Sequence, residues 1–257
     1  MWHYTESGSG RPLVLLHGIG MSGSAWNSVM PYLGASRRLI VFDIAGFGLT
    51  PPLPAGTPPT SANLAAALER SVRAMGVEGP VDIAGNSLGG LIALEAAKRG
   101  LARSVVAISP PGLWRDHGAA HVKCLFWTLR FLATRVPAAL KATVRTSFLR
   151  ELAFAVPISV GSRRMPASDA VTAVNDLAAA TGFEDTFACT APPFSGRDIA
   201  VPLTVAFGEH DWVLLKGSQR RENLPAHTKW IKMRSWGHVP MWVDPAGVSR
   251  LILDGAQ

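Results

Sequence analysis

Cysteine is scarce in this chain: its 257 residues include only Cys124 and Cys189. Two cysteines cannot build a disulfide framework, so the sequence does not require an oxidising compartment. The residues from Met1 to Glu6 lack the basic and then apolar stretches of a secretory signal. No apolar run approaches the roughly 18–20 residues that a membrane span needs. We therefore expect a globular, cytoplasmic protein.

Charged side chains are also few, 17% of the residues, whereas 48% are hydrophobic, which excludes a disordered chain. Acidic residues are scarcest between positions 113 and 165, where only Asp116 and Glu151 oppose nine lysines and arginines. This stretch carries the whole net charge of +7, because the rest of the chain is neutral. An excess of positive charge that is confined to one segment argues against nucleic-acid binding, which usually needs a basic groove on the main face of a fold.

Apolar runs and helical patterns alternate in the first part of the chain. Runs that fit strands buried on both faces lie at 13–16, 39–42, 81–84 and 104–108. Apolar residues recur at helical spacing from Thr60 to Gly76 and again over residues 91–99. The alternation predicts an α/β fold with a mostly parallel central sheet and helices on both faces.

The alternation stops between Pro110-Pro111 and Pro192-Pro193. The intervening patterns are helical, with candidate helices near 118–135 and 138–155. After them come strand patterns at 203–207 and 229–233 and a helical pattern at 246–253. We therefore predict a core in two parts, residues 1–111 and 197–257, and a helical cap, residues 112–196, inserted late in the sheet.

The strongest chemical signal is Gly85-Asn86-Ser87-Leu88-Gly89-Gly90, between a predicted strand and a predicted helix. This is the setting of a nucleophile elbow, in which a serine lies on a strained strand-to-helix turn. A Cβ atom at Gly85 or Gly89 would crowd that turn, and the helix N-terminus offers free N–H groups to a developing anion. The pattern predicts that Ser87 is a nucleophile.

A serine nucleophile needs a base, and the base needs an acid that orients it. Gly208-Glu209-His210-Asp211 follows the strand at 203–207, and Gly237-His238-Val239-Pro240 follows the last strand. The carboxyl ends of strands are where α/β sheets carry their sites. We therefore predict Asp211 as the acid and His238 as the base, with Asp116 as an alternative acid.

These motifs, with Leu15-Leu16-His17-Gly18-Ile19-Gly20 and Asp43-Ile44-Ala45-Gly46-Phe47-Gly48, resemble those of α/β-hydrolase-fold serine hydrolases of the capped, lipase- and esterase-like kind. The resemblance covers nearly all of the core and none of the insertion. It implies that Ser87 attacks, that His238 takes its proton and that Asp211 stabilises the imidazolium. It also implies an oxyanion hole made of the backbone N–H groups of Ile19 and Leu88.

No cofactor or metal is expected. His117 and His121 have the i, i+4 spacing that can bind a metal, but no third ligand accompanies them. His17 and Asp43 are interpreted as residues that hold their own loops.

The predicted insertion is rich in bulky apolar residues, of which we expect Phe126, Trp127 and Phe131 to bind a hydrophobic acyl or alkyl group above Ser87. Lys123 shares a helix face with Arg130, as Lys141 does with Arg145. These basic residues form either a solvated outer face or a surface for anionic lipid or an acidic substrate.

Three functions from different classes remain open. The favoured one is hydrolysis of a small hydrophobic carboxylic ester through an acyl-enzyme. The second is C–C bond hydrolysis of diketo acids, which Asn86 fits, although such relatives usually carry tryptophan where Val239 stands. The third is a non-catalytic binding module. An epoxide hydrolase or a haloalkane dehalogenase would need aspartate at position 87.

Overall fold

The computed structural model describes residues 1–115, 120–155, 158–190 and 192–256. Asp116, the alternative acid, and His117, one of the two spaced histidines, lie outside these ranges. Over the described residues, no helix is both long and apolar enough to cross a membrane. The same residues contain no cluster of three or more His, Cys, Asp or Glu side chains that could hold a metal ion.

In the described part of the chain, seven strands form one sheet in the order β1-β3-β2-β4-β5-β6-β7. The strands are β1 (Tyr4–Ser7), β2 (Pro12–Leu16), β3 (Arg38–Phe42), β4 (Val81–Asn86), β5 (Ala102–Ile108), β6 (Leu203–Gly208) and β7 (Lys229–Met233). Strand β1 pairs antiparallel with β3, and every other pair is parallel. The six predicted strands are confirmed. We did not predict β1, because its four residues contain no apolar run and two of them are exposed at the sheet edge.

The α-helices of the described residues are α1 (Met30–Leu33), α2 (Ser61–Ala74), α3 (Leu88–Lys98), α4 (Ala120–Arg135), α5 (Pro137–Arg145), α6 (Ser147–Ala155), α7 (Ala167–Ala179), α8 (Phe183–Cys189) and α9 (Pro245–Gly255). Alternate strand residues point to opposite faces of the sheet, so Val14 and Leu16 pack in one apolar layer with α2 and α3. Leu13 and Leu15 pack in the other layer with α1 and α9. The predicted fold class, with helices on both faces, is confirmed.

Helices α4–α8 lie between β5 and β6, and we call these five helices with their connections the insertion. The prediction of a single helix over 138–155 is wrong. Two helices, α5 and α6, occupy this range and meet at Thr146, where the backbone is extended. The buried Arg150 side chain stabilises this break, since its Nη1 donates to the carbonyls of Val144 (2.7 Å) and Arg145 (3.2 Å) at the end of α5. The Arg150 side chain therefore satisfies backbone carbonyls at the C-terminus of α5.

We predicted that Lys123 and Arg130 share an outward-facing side of their helix, and this prediction is wrong for Arg130. Arg130 points inward, where its Nε donates to Glu184 Oε1 at 3.0 Å and its Nη2 to the Ala180 carbonyl at 2.9 Å. The guanidinium also lies over the ring of Phe183. Arg130 therefore ties α4 to α8 rather than facing solvent.

Candidate active site

Ser87 lies on the turn between β4 and α3. All six residues of β4 are buried, and the backbone of Ser87 has φ 51° and ψ −119°, a conformation that L-residues rarely adopt. An added Cβ atom at Gly85 would lie 2.3 Å from the Gly89 carbonyl, and one at Gly89 would lie 2.3 Å from the Leu16 carbonyl. Glycine at both positions is therefore required for this strand–turn–helix geometry.

Three predicted site residues from distant parts of the chain meet at the carboxyl edge of the sheet. His238 Nε2 lies 2.9 Å from Ser87 Oγ. On the other side of the imidazole, His238 Nδ1 lies 3.0 Å from Asp211 Oδ2 and 3.1 Å from Oδ1. All three side chains are buried. This arrangement leaves one ring nitrogen to accept the Ser87 proton while the other donates to a carboxylate.

The Asp211 carboxylate is held by its own loop as well as by His238. Its Oδ1 accepts hydrogen bonds from the backbone N–H groups of Val213 (3.1 Å) and Leu214 (2.9 Å). Burial alone raises the pKa of Asp211, but His238, the Leu214 N–H and the nearby Ser109 hydroxyl outweigh it, so the pKa lies below its ordinary value. Asp211 is therefore an ionised acceptor that orients Nδ1–H towards itself.

Comparison with known proteins identifies the family. A family model described as the alpha/beta hydrolase fold matches residues 11–245. The chain belongs to this family. It is therefore an enzyme of the hydrolase kind, as the motifs predicted.

Individual relatives of this α/β hydrolase differ in activity. A pimeloyl-(acyl-carrier protein) methyl ester esterase of Edwardsiella ictaluri is 31% identical over 80% of this chain and 81% of that protein. An epoxide hydrolase of Mycobacterium tuberculosis is 30% identical over 75% of this chain and 93% of that protein. Esterases of Legionella pneumophila are 45% identical, but that match spans only about a fifth of either protein: 19% of this chain and 20% of theirs. The solved structure of a Thermogutta terrifontis esterase superposes with a TM-score of 0.70 at 17% identity, covers 98% of this chain and 91% of its own, and shares the fold.

Backbone hydrogen bonds hold His238 from two further sides. Its carbonyl accepts a hydrogen bond of 2.8 Å from Asn86 Nδ2, and its N–H donates to the Ile158 carbonyl in the insertion, also at 2.8 Å. Ser159 Oγ donates to the Val239 carbonyl at 2.8 Å. We did not predict Ile158, because a contact through its backbone carbonyl leaves no requirement for a side-chain type. We did not predict Ser159 either, because no motif in the sequence links its hydroxyl to the Val239 carbonyl.

The loop after β2 brings Ile19 to the same place. Among the described residues, neither the Ile19 N–H nor the Leu88 N–H has a hydrogen-bond acceptor. A Cβ atom at Gly18 would lie 3.4 Å from Ser87 Cβ, so this loop passes directly beside the serine. The oxyanion hole formed by these two N–H groups stays a prediction.

His17 supports this loop from beneath. Its Nδ1 donates to the Gly18 carbonyl at 2.7 Å, and its Nε2 accepts from the Ile44 N–H at 3.0 Å. The ring is fully buried, and burial lowers its pKa to about 4, against weaker opposite effects of the Gly18 carbonyl and Asp43. His17 is therefore a neutral residue that links two loops, which agrees with its interpretation from sequence.

Two apolar cavities meet at Ser87 and His238. The smaller, about 80 Å³, lies beneath α4–α7 and is lined by side chains such as Leu140, Val144 and Phe154. The larger, about 140 Å³, lies between α4, α8 and the Asp211 loop and is lined by Trp114, Val122, Phe187 and Val213, among others. Ile19 and Phe126 border both cavities. The serine is therefore approached by apolar space from two sides.

The three apolar residues predicted for the pocket have different positions. Phe126 lines both cavities, but Trp127 and Phe131 line neither of them. Trp127 packs edge-on against Phe183, and Phe131 is 60% exposed. The sequence run from 122 to 132 is apolar on more than one helix face, so it could not show which face meets Ser87.

Asp176 of α7 joins the insertion to the segment after the Ile19 loop. Its Oδ2 accepts hydrogen bonds from Ser22 Oγ at 2.6 Å and from Ser24 Oγ at 3.3 Å. Burial raises the pKa of Asp176; the serine hydroxyls oppose this effect, and the neighbouring Asp43 adds to it. The contact holds α7 beside the loop that carries Ile19, although it places a carboxylate in a partly buried position.

Proposed function

We propose that this α/β hydrolase cleaves carboxylic esters whose acyl and alcohol parts are both apolar. The observation that carries the proposal is the contact between Ser87 Oγ and His238 Nε2 at the junction of two apolar cavities. An ester bound across that junction would present its carbonyl carbon to Ser87 and one apolar arm to each cavity. We propose in addition that residues 112–196 act as the cap that closes both cavities.

The reaction begins when Ser87 Oγ attacks the carbonyl carbon while His238 Nε2 takes the hydroxyl proton. The N–H groups of Ile19 and Leu88 stabilise the negative charge that develops on the carbonyl oxygen. The intermediate collapses when the C–O bond of the ester breaks and His238 returns the proton to the leaving alcohol. This step leaves the acyl group on Ser87.

Water then attacks the acyl-enzyme, with His238 again acting as the base. Collapse of the second intermediate returns the proton to Ser87 Oγ and releases the carboxylic acid. Asp211 remains ionised throughout and stabilises the imidazolium that forms twice in each cycle. The hydrogen bonds from Val213 and Leu214 hold its carboxylate in place during this cycle.

The composition of the site favours an ester over the other candidates. A serine stands at position 87, where an epoxide hydrolase of this family would need an aspartate. A diketo acid carries a carboxylate, yet among the described residues the smaller cavity has no lysine or arginine in its lining, and the larger has only Lys123. The smaller cavity therefore offers no cation to a substrate carboxylate, and the larger offers only Lys123 among the described residues.

A fluorophosphonate probe with mass detection tests the nucleophile. We expect one adduct per chain on Ser87, no adduct on Ser87→Ala, and an unchanged adduct on Ser249→Ala, a buried serine of α9 that serves as a matched control. Turnover of p-nitrophenyl esters by wild-type protein, beside a diketo acid, tests the substrate class. Labelling of Ser87 without ester turnover, or faster turnover of the diketo acid, would contradict the proposal.

A further inference from the structure

Exposed apolar side chains are concentrated on the outer faces of the insertion. Of the twelve large hydrophobic residues that are exposed in the described part of the chain, seven lie between positions 127 and 152. On α4, Trp127 and Phe131 are 41% and 60% exposed, and on α6, Phe148 and Leu152 are 69% and 61% exposed. Each pair has i, i+4 spacing and so forms a stripe along one side of its helix.

The helix between these stripes continues the apolar surface. Helix α5 packs against both α4 and α6. Its exposed residues include Ala138, Ala139 and Ala142, which are small and uncharged. The opposite faces of the same three helices line the smaller cavity. These helices are thus apolar on both sides, which is unusual for a helix that covers a globular core.

Two arginines accompany the apolar stripes, and in the described part of the chain no free carboxylate does. Arg135 follows Phe131 by one further i, i+4 step on α4, and Arg145 precedes α6 at the end of α5. Over 120–155 the sole acid is Glu151, and its carboxylate already accepts the N–H groups of Gly161 and Arg163. Among the described residues, no carboxylate lies within ion-pair distance of Arg135 or Arg145.

We propose that the outer faces of α4, α5 and α6 bind the surface of an anionic phospholipid bilayer. Phe131, Phe148 and their neighbours enter the interface between headgroups and acyl chains, while Arg135 and Arg145 meet lipid phosphates. Apolar side chains next to unpaired cations fit such a surface, because it offers apolar depth and negative charge together. The inference does not depend on the ester reaction, since none of these residues contacts Ser87.

Co-sedimentation with lipid vesicles tests the apolar stripes. All proteins carry Ser87→Ala, so that no lipid is hydrolysed, and vesicles contain phosphatidylcholine with or without about 30 mol% phosphatidylglycerol. We expect binding to the anionic vesicles and a loss of at least about fivefold in Phe131→Ser/Phe148→Ser. Leu49→Ser is the control, because Leu49 is 74% exposed outside the insertion, and its binding should be unchanged.

A matched pair of charge reversals tests the cations. The Arg135→Glu/Arg145→Glu protein should lose most of its vesicle binding. The control is Lys216→Glu/Lys229→Glu, which changes the net charge by the same amount at exposed positions outside the insertion, and it should keep its binding. Binding should weaken between about 50 mM and about 300 mM salt, as expected for surface charges. Circular dichroism and melting curves show that each variant is folded.

Three results would overturn the proposal. The first is wild-type protein that stays in the supernatant with anionic vesicles at low salt. The second is an equal loss of binding in both charge-reversal proteins, which would indicate attraction by overall charge alone. The third is a dimer by analytical ultracentrifugation that Phe131→Ser/Phe148→Ser dissociates, because a second copy of the chain would then cover this surface.

Discussion

The side chain of Asn86 donates a hydrogen bond of 2.8 Å to the backbone carbonyl of His238. Asn86 is the last residue of β4 and directly precedes Ser87, so one short segment carries the proposed nucleophile and also holds the loop of the proposed base. The side chain is fully buried, and its Nδ2 also lies 3.3 Å from the Ile108 carbonyl. The distance between Ser87 and His238 is thereby tied to the geometry of a single turn.

Removal of this donor should lower kcat with little effect on KM. In Asn86→Ala the His238 carbonyl loses a buried partner worth about 1 kcal/mol, so we expect roughly a fivefold fall in kcat if that energy is lost from the transition state. Asn86→Asp should be worse, because a carboxylate offers no donor and repels the carbonyl. Steady-state kinetics on a soluble ester measure both. An Asn86→Asp protein with wild-type kcat would show that Asn86 does not position His238.

Asp211→Asn should leave the fold intact and reduce kcat by about four powers of ten. The asparagine can still accept the N–H groups of Val213 and Leu214 through its oxygen. Its amide nitrogen then faces His238 and favours the tautomer that carries its proton on Nε2, which cannot accept from Ser87. Kinetics of Asp116→Asn provide the comparison. Near-normal activity of Asp211→Asn together with a severe loss in Asp116→Asn would assign the acid to Asp116 instead.

The sequence was most informative where the backbone itself restricts residue choice. The turn at Ser87 has a positive φ and no room for a Cβ atom at Gly85 or Gly89, so its motif could be recognised without a structure. Strands such as β4 and β6 are buried on both faces and therefore appear as continuous apolar runs. The sequence patterns that result from these two constraints predicted the fold class. They also placed Ser87, Asp211 and His238 at the same edge of the sheet.

The insertion was less predictable because side chains there serve several purposes at once. Arg130 and Arg150 look like surface charges in the sequence, yet both bind backbone carbonyls in the interior. Phe131 looks like a pocket residue but is exposed. Periodicity shows that a helix has apolar faces, but tertiary packing decides which face is turned towards the sheet. For that reason only Phe126 of the three predicted pocket residues lines a cavity.

His17 should make the fold less stable in mild acid. Its pKa is about 4 in the folded chain against an ordinary 6.5, so the unfolded chain binds the proton more readily between these values. Stability therefore falls as the pH drops from about 6.5 to about 4, by up to about 3 kcal/mol from this residue. Denaturant unfolding of wild-type and His17→Gln at about pH 7 and about pH 5 measures it. The variant should be less stable at the higher pH and show a smaller fall; an equal fall in both proteins would assign the pH effect to other groups.

Asp176→Asn should stabilise the protein at neutral pH. Burial raises the pKa of Asp176, and Asp43 adds repulsion, so the folded chain favours the neutral carboxyl. The protonated Asp176 side chain therefore contributes to the free energy of unfolding below the ordinary carboxyl pKa. This contribution is lost as the pH rises through the raised pKa of the folded chain. Asparagine remains neutral and can still accept from Ser22, so its melting temperature should exceed that of wild type near pH 7 and approach it in acid. A lower melting temperature for Asp176→Asn near pH 7 would show that the carboxylate charge is stabilising there.

The two cavities should control the two arms of an ester separately. Ala153→Leu adds bulk to the lining of the smaller cavity, and Val122→Phe adds bulk to the lining of the larger one. Each added group displaces about two methylenes of substrate, which at about 0.8 kcal/mol each corresponds to roughly a tenfold loss in kcat/KM for long chains. Two ester series measure the effect, one with a fixed alcohol and a lengthening acyl chain, the other with the reverse. We expect Ala153→Leu to impair one ester series and Val122→Phe to impair the other. The shortest ester of both series should keep its turnover within about twofold, because it fills neither cavity. Loss in the same series for both variants would mean that one arm occupies both cavities and that the other projects into solvent.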